Sequence, residues 1–191
     1  IGALPFSIDD LQPDFVTCSA YKWLLCPYGF GFLYVAPRFQ GGVPLEEHFF
    51  HRSGVAGHEG KLEQLEGYDV GARRFDTAER ASFINVAMSI VALEQLSAWS
   101  VKAIQARIAP VTERILAGAA KIGYRAASPD QQATHLFGLR RDGGLPGRLG
   151  KALQAANVHV SLRGDAIRVS PHVFNDEADA DRLVAALASA R

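Results

Sequence analysis

The order of apolar and polar residues changes character twice along the 191-residue chain, from strand-like, to aperiodic, to mainly helical. Ser7 to Gln12 reads as a short helical turn closed by Pro13. "DFVTCS" follows as a strand, because β-branched and aromatic residues cluster there. Beyond Lys22, "PYGFGFLYVAP" reads as a second strand, with Phe30, Phe32 and Tyr34 on one face and Gly31, Leu33 and Val35 on the other. Both faces are apolar, which predicts a sheet covered on both sides. From Arg38 to Phe75 no period is sustained. Glycines, mixed charge and three histidines, His48, His51 and His58, predict a long loop of functional or interface character.

The remaining chain returns to regular periods. Asp76 and Glu79 are spaced as a capping box for a helix running to about Trp99, and its apolar residues on nearly every side predict burial between domains or subunits. A second helix, about Val101 to Ile122, carries Ile104, Ile108, Val111, Ile115 and Ile122 on one stripe and ends at Gly123. Pro110 predicts a kink within it. A strand at "THLFGLR", a helix near Gly147 to Ala156, strands at "VHVSL" and "AIRVS", and a last helix capped by Asn175 complete an α/β unit.

Composition narrows the function classes. Lysine plus arginine equals aspartate plus glutamate, at twenty each, so no bulk attraction to nucleic acid or an anionic membrane is expected. A small neutral or zwitterionic substrate fits that balance. No apolar run approaches the roughly 20 residues of a membrane span, and no signal-type segment is visible, so a soluble cytoplasmic protein is expected. Cys18 and Cys26 read as free thiols of a reducing compartment. The histidines and cysteines lack metal-ligand spacing, so no metal site is expected. The opening "IGALPF" lacks an initiator methionine and enters what reads as the middle of a fold, so a fragment is expected.

Lys22 is the sharpest chemical feature, a single charge between two strand-like runs. A desolvated lysine amine is a nucleophile toward carbonyls and suits a Schiff base, whereas a lysine snorkelling at a strand end explains the same spacing. Ser19 and Tyr21 place two hydroxyl donors beside it, as a phosphate next to the amine would require. Either is also ordinary at a strand end. Arg168 alternates with Ile167 and Val169, and suits either a bidentate grip on a substrate carboxylate or a surface ion pair with the last helix. Arg73 and Arg74 could meet a phosphate or carboxylate, or simply be solvated. Gly29 and Gly31 are not a dinucleotide fingerprint, since a strand follows them.

"DFVTCSAYKWLLCPYGFGFLYV", "YDVGARRFD" and "LRGDAIRVSPHVFN" together resemble the class V aminotransferases, which depend on pyridoxal phosphate (PLP) and include cysteine desulfurases and isopenicillin N epimerase-like proteins. The resemblance covers essentially the whole chain. It implies an α/β fold, the C-terminal part of a fold-type-I PLP subunit. Residues 1–75 would be a remnant of the large cofactor-binding domain, and residues 76–191 an inter-domain helix and a small C-terminal domain. It further implies Lys22 as the internal aldimine lysine, Ser19 and more weakly Tyr21 as phosphate ligands, Arg168 as the holder of the substrate α-carboxylate, an amino-acid substrate and a homodimer. Transamination, epimerisation and lyase branches all stay open. Three departures from the family pattern stand out. "NVHVSLRGDAIRVS" has no cysteine, so persulfide chemistry is not expected. Ala78-Glu79 stands where relatives carry a phosphate-binding Gly-Thr pair. By the resemblance, the ring-stacking aromatic and the pyridine-pairing aspartate would be supplied by an N-terminal half expected upstream of Ile1. A non-catalytic dimerisation and scaffold piece is the second reading, and a cofactor-free Schiff-base aldolase the third.

Overall fold

The computed structural model describes residues 1–55, 67–78 and 82–190. His58 and Glu79 lie outside the described residues. The chain divides into two compact units, Ile1–Ala98 and Trp99–Arg191. That division falls at the end of the long helix, whereas the sequence pattern sets its boundary at 75/76.

In the first unit a turn of helix, α1 (Ile8–Leu11), precedes two antiparallel strands, β1 (Phe15–Ser19) and β2 (Gly31–Val35). Their register pairs Phe15 with Val35 and Ser19 with Gly31. The strands form where the pattern places them, but this pair is not covered on both sides by the described residues. Phe15, Phe32 and Leu33 are each at least two-fifths exposed. Among the described residues, the loop that follows carries 3-10 turns at Pro37–Phe39, Phe49–His51 and Gly71–Phe75. An isolated bridge between Arg52 and Tyr68 ties its two sides together. Tyr68 donates its phenol proton to Glu47 at 2.5 Å, with the Arg52 guanidinium 4.1 Å and the Arg74 guanidinium 5.8 Å from its ring centre. The Glu47 hydrogen bond pushes the Tyr68 phenol above its ordinary pKa.

Helix α2 (Phe83–Trp99) starts later than the Asp76–Glu79 spacing predicts. Asp76 instead ends the 3-10 turn Gly71–Phe75 in an extended conformation. The helix is apolar on nearly all sides, as predicted, yet only Ser89 and Leu96 of it are buried by the described residues. Phe83 and Ile84 are almost wholly exposed.

The second unit has a four-stranded antiparallel sheet in the order β3-β4-β6-β5, with β3 (Tyr124–Arg125), β4 (Phe137–Arg141), β5 (Ser161–Arg163) and β6 (Ala166–Val169). Phe137 faces Val169, and Leu139 faces Ile167, across the β4–β6 ladder. These four side chains are buried in one core with the apolar stripes of α3 (Val101–Lys121) and α5 (Glu177–Ser189), and α4 (Leu149–Ala155) adds Leu149 and Leu153. Each such side chain contributes roughly 1.5–3 kcal/mol on burial. The α3 stripe is as predicted: Ile104, Ile108, Val111 and Ile115 are all buried. Ser100 caps the helix by accepting from the Ala103 N–H at 3.2 Å. The helix continues through Pro110, which lies on the exposed side.

Two local expectations change. The cap of α5 is Asp176, in a reciprocal capping box with Asp179, one residue beyond Asn175. Asn175 accepts from the His172 N–H at 2.9 Å and donates to Asp179 at 3.1 Å, so its side chain is spent on fixing the approach to the helix. The strand expected at "VHVSL" is only Ser161–Arg163, because pairing with β6 begins at Ser161.

Helices α3 and α5 meet closely at Gly118, where an added Cβ would lie 2.7 Å from Val184 Cγ2. A valine held at one χ1 rotamer in a helix cannot swing aside. Gly118→Ala is therefore expected to lower the urea-unfolding free energy by about 1–3 kcal/mol despite alanine's better helix propensity, with Val184→Ala in the same chain restoring part of the loss. Additivity of the two substitutions would contradict this contact.

Arg114 on α3 grips Asp181 of α5 through Nε at 2.6 Å and Nη2 at 2.7 Å, and Glu177 through Nη1 at 2.9 Å. The Arg114 hydrogen bond holds the Asp181 carboxyl below its ordinary value. A carboxylate depressed in the folded state stabilises above its unfolded pKa, and that contribution is lost as pH falls through the folded value. Chemical-denaturation midpoints from about pH 7 to about pH 2 should therefore fall below about pH 4, and Arg114→Met should flatten that fall.

Candidate active site

β1 ends at Ser19, and the chain then turns tightly over Ala20 to Cys26. The Ala20 N–H donates to the Phe30 carbonyl at 3.1 Å, the Cys26 N–H to the Ala20 carbonyl at 3.0 Å, and the Leu25 N–H to the Lys22 carbonyl at 3.1 Å. Ala20, Leu24 and Cys26 are buried and anchor this turn, while Leu25 takes a left-handed φ of +57°. Such strain in a leucine persists only where the surroundings over-determine the backbone.

Ser19, Tyr21 and Lys22 stand together on the exposed side of this anchored turn. Of the desolvated and snorkelling arrangements, the described residues leave Lys22 in solvent. Lys22 is exposed, since the inward positions of the turn go to Ala20, Leu24 and Cys26. Its Nζ lies 5.3 Å from the centre of the Tyr21 ring. Tyr28, which spacing alone did not single out, stacks on Tyr21 with ring centres 4.3 Å apart and planes 20° from parallel. Neither the Ser19 hydroxyl nor the Lys22 amine is spent on a hydrogen bond or ion pair among the described residues. An amine flanked by two hydroxyl donors is a donor set that fits an aldehyde carrying a phosphate. Cys18 and Cys26, on either side, are free thiols.

Arg168 belongs to the second unit, on β6, between Gly138 of β4 and Ser161 of β5 in the ladder. Its Nη2 donates to Ser161 Oγ at 3.2 Å. The ion pair with the last helix does not form among the described residues, because Glu177 and Asp181 are taken by Arg114, and Asp179 by Arg182. The guanidinium is exposed on the face opposite the core, with no counter-charge among the described residues. Burial pushes the His172 imidazole below its ordinary value, so no second positive charge follows it along "RVSPH" at neutral pH.

The other candidates separate. Arg74 donates to the carbonyls of Asp69 at 2.9 Å and Gly42 at 3.1 Å, which ties it into the loop frame. Arg73 makes no such bond among the described residues. His51 is fully buried, its Nδ1 2.9 Å from the Glu46 carbonyl oxygen. A cavity of about 330 Å³ in the second unit opens between α3, α5 and residues 157–160, and Arg168 does not line it. Its polar groups Asn175, Asp179 and Arg182 are bonded to one another.

Comparison with known families matches the model of the class-V aminotransferases over residues 1–183. The chain belongs to the class-V aminotransferase family. Among solved structures, a mutant of C-DES with glycine covalently linked to the PLP cofactor matches at 21% identity and a TM-score of 0.79, covering 100% of this chain and 49% of that one. C-DES is elsewhere described as a cystine C–S lyase, in complex with cysteine persulfide. The cysteine desulfurase CsdA from Escherichia coli matches at 19% identity and a TM-score of 0.78, over 98% of this chain and 48% of its own. No curated protein sequence matches. The chain thus spans about half the length of these structures and shares their fold, in line with the C-terminal part of an α/β PLP-enzyme subunit.

Proposed function

We propose that this class-V chain carries the lysine-bearing part of a PLP-dependent enzyme acting on a small amino acid, with Lys22 as the residue that holds the cofactor. The observation that supports it most directly is the anchored turn, which presents Lys22 with the Ser19 and Tyr21 hydroxyls on one exposed rim. When bound, pyridoxal phosphate supplies an electron sink that weakens the bonds at the substrate Cα. Ser19 donates its hydroxyl proton to the phosphate, and the Tyr21 phenol supports that contact. Lys22 would hold the cofactor through Nζ, and the same amine would take and return the proton at the substrate Cα. Arg168, free of a carboxylate partner, holds the substrate α-carboxylate through its guanidinium fork. The homodimer and the cytoplasmic location expected from sequence belong to this proposal.

Exposure supports a second reading, that these residues act as a dimerisation and scaffold piece whose cofactor site needs further chain. Phe83, Ile84 and Val91 of α2 present apolar surface that the described residues leave uncovered.

Borohydride reduction of the PLP-loaded protein followed by peptide mapping is expected to place the pyridoxyl label on Lys22; a label on another lysine, or spread over several, rejects the proposal in favour of the scaffold reading. Separately, Arg168→Ala should leave cofactor absorbance intact and weaken the spectral response to a panel of L-amino acids roughly 10- to 100-fold, the value of a charge-assisted hydrogen-bonded pair. An unaltered response removes Arg168 from the site.

A further inference from the structure

We infer that Tyr28 is a positioning residue for the Lys22 amine, acting through Tyr21. The inference rests on the reading of Lys22 as the cofactor-holding lysine and names what orients it.

The backbone of Lys22 is already fixed by the turn hydrogen bonds and by the strained Leu25, so what stays free is the side chain with its four torsions. An amine that must reach a carbonyl from one direction loses rate when it samples many rotamers. Tyr21 offers its ring face to Nζ at 5.3 Å, within the range of a cation–π contact. Tyr21 is itself exposed and has the ring of Tyr28 stacked upon it at 4.3 Å.

Burial does not account for the place of Tyr28, which is 79% exposed. Its backbone accounts for it. The Asn85 side-chain amide, on α2, donates to the Tyr28 carbonyl at 3.3 Å, and Gly29 follows with a φ of +79° that an L side chain would strain. Tyr28 is thereby delivered to Tyr21 from outside the lysine turn, and the two rings make a stiffer shelf than one.

The test uses the 191-residue chain with its lysines reductively methylated with carbon-13, the Lys22 resonance being assigned by its loss in Lys22→Arg. In the unaltered chain the Lys22 methyl signal is expected upfield of the other lysines through the aromatic ring current. Tyr28→Ala and Tyr28→Leu should both move it toward the others and, in separate unmethylated samples whose primary amine can still condense with the aldehyde, slow borohydride-trapped labelling of Lys22 by PLP several-fold, while Tyr28→Phe should keep both as they were. A signal and labelling rate unchanged in Tyr28→Ala and Tyr28→Leu overturn the inference. If PLP labels a different lysine in the unaltered chain, the reading of Lys22 fails instead, whatever the methyl signal does.

Discussion

A sheet with apolar residues on a face must find a layer for that face, and how each unit meets this requirement organises everything else. In the second unit the requirement is met internally. One face of the β3-β4-β6-β5 sheet carries Phe137, Leu139, Ile167 and Val169 against α3 and α5, and the opposite face is free to carry Ser161 and Arg168. In the first unit the described residues leave Phe15, Phe32 and Leu33 of the β1–β2 pair substantially exposed, and the same holds for Phe83, Ile84 and Val91 of α2. A chain that covers about half of the structures it resembles is the natural setting for such unshared surface.

The parts of the fold legible in the sequence are those decided by local period. The α3 stripe, the alternation around Arg168 and both strands flanking Lys22 lie close to where the hydrophobic pattern puts them. Competing partners decided the rest. Asp76 is used to end a 3-10 turn, so the capping-box spacing did not locate the start of α2. Asn175 and Asp176 are both good caps, and Asn175 is drawn off by the His172 amide. Strand β3 is two residues long and held by pairing with β4, too short for any period to announce.

At the candidate site, residue types and spacing single out Ser19, Tyr21, Lys22 and Arg168, which lie in two of the three motifs that carry the family resemblance, and the family match agrees with that resemblance. At Lys22 a charge between two apolar runs fits either burial or a strand-end position in solvent, and among the described residues the turn directs it outward. Tyr28 escaped notice since stacking across a turn leaves no mark in spacing. Its only trace was an aromatic one place before the glycine in "PYGFG". The choice between a surface ion pair and a free guanidinium at Arg168 depended on Arg114 and Arg182 claiming the acids of α5, a competition that sequence does not rank.

Strand β6 is an interior strand, hydrogen-bonded to β4 on one side and β5 on the other. Arg168 therefore sits on one of the least yielding pieces of backbone in its unit, and Gly138 beside it adds no side chain to crowd the guanidinium. A cation mounted this way behaves as a fixed gauge: whatever anion it meets must arrive at the right depth, because the mount itself will not travel to meet it.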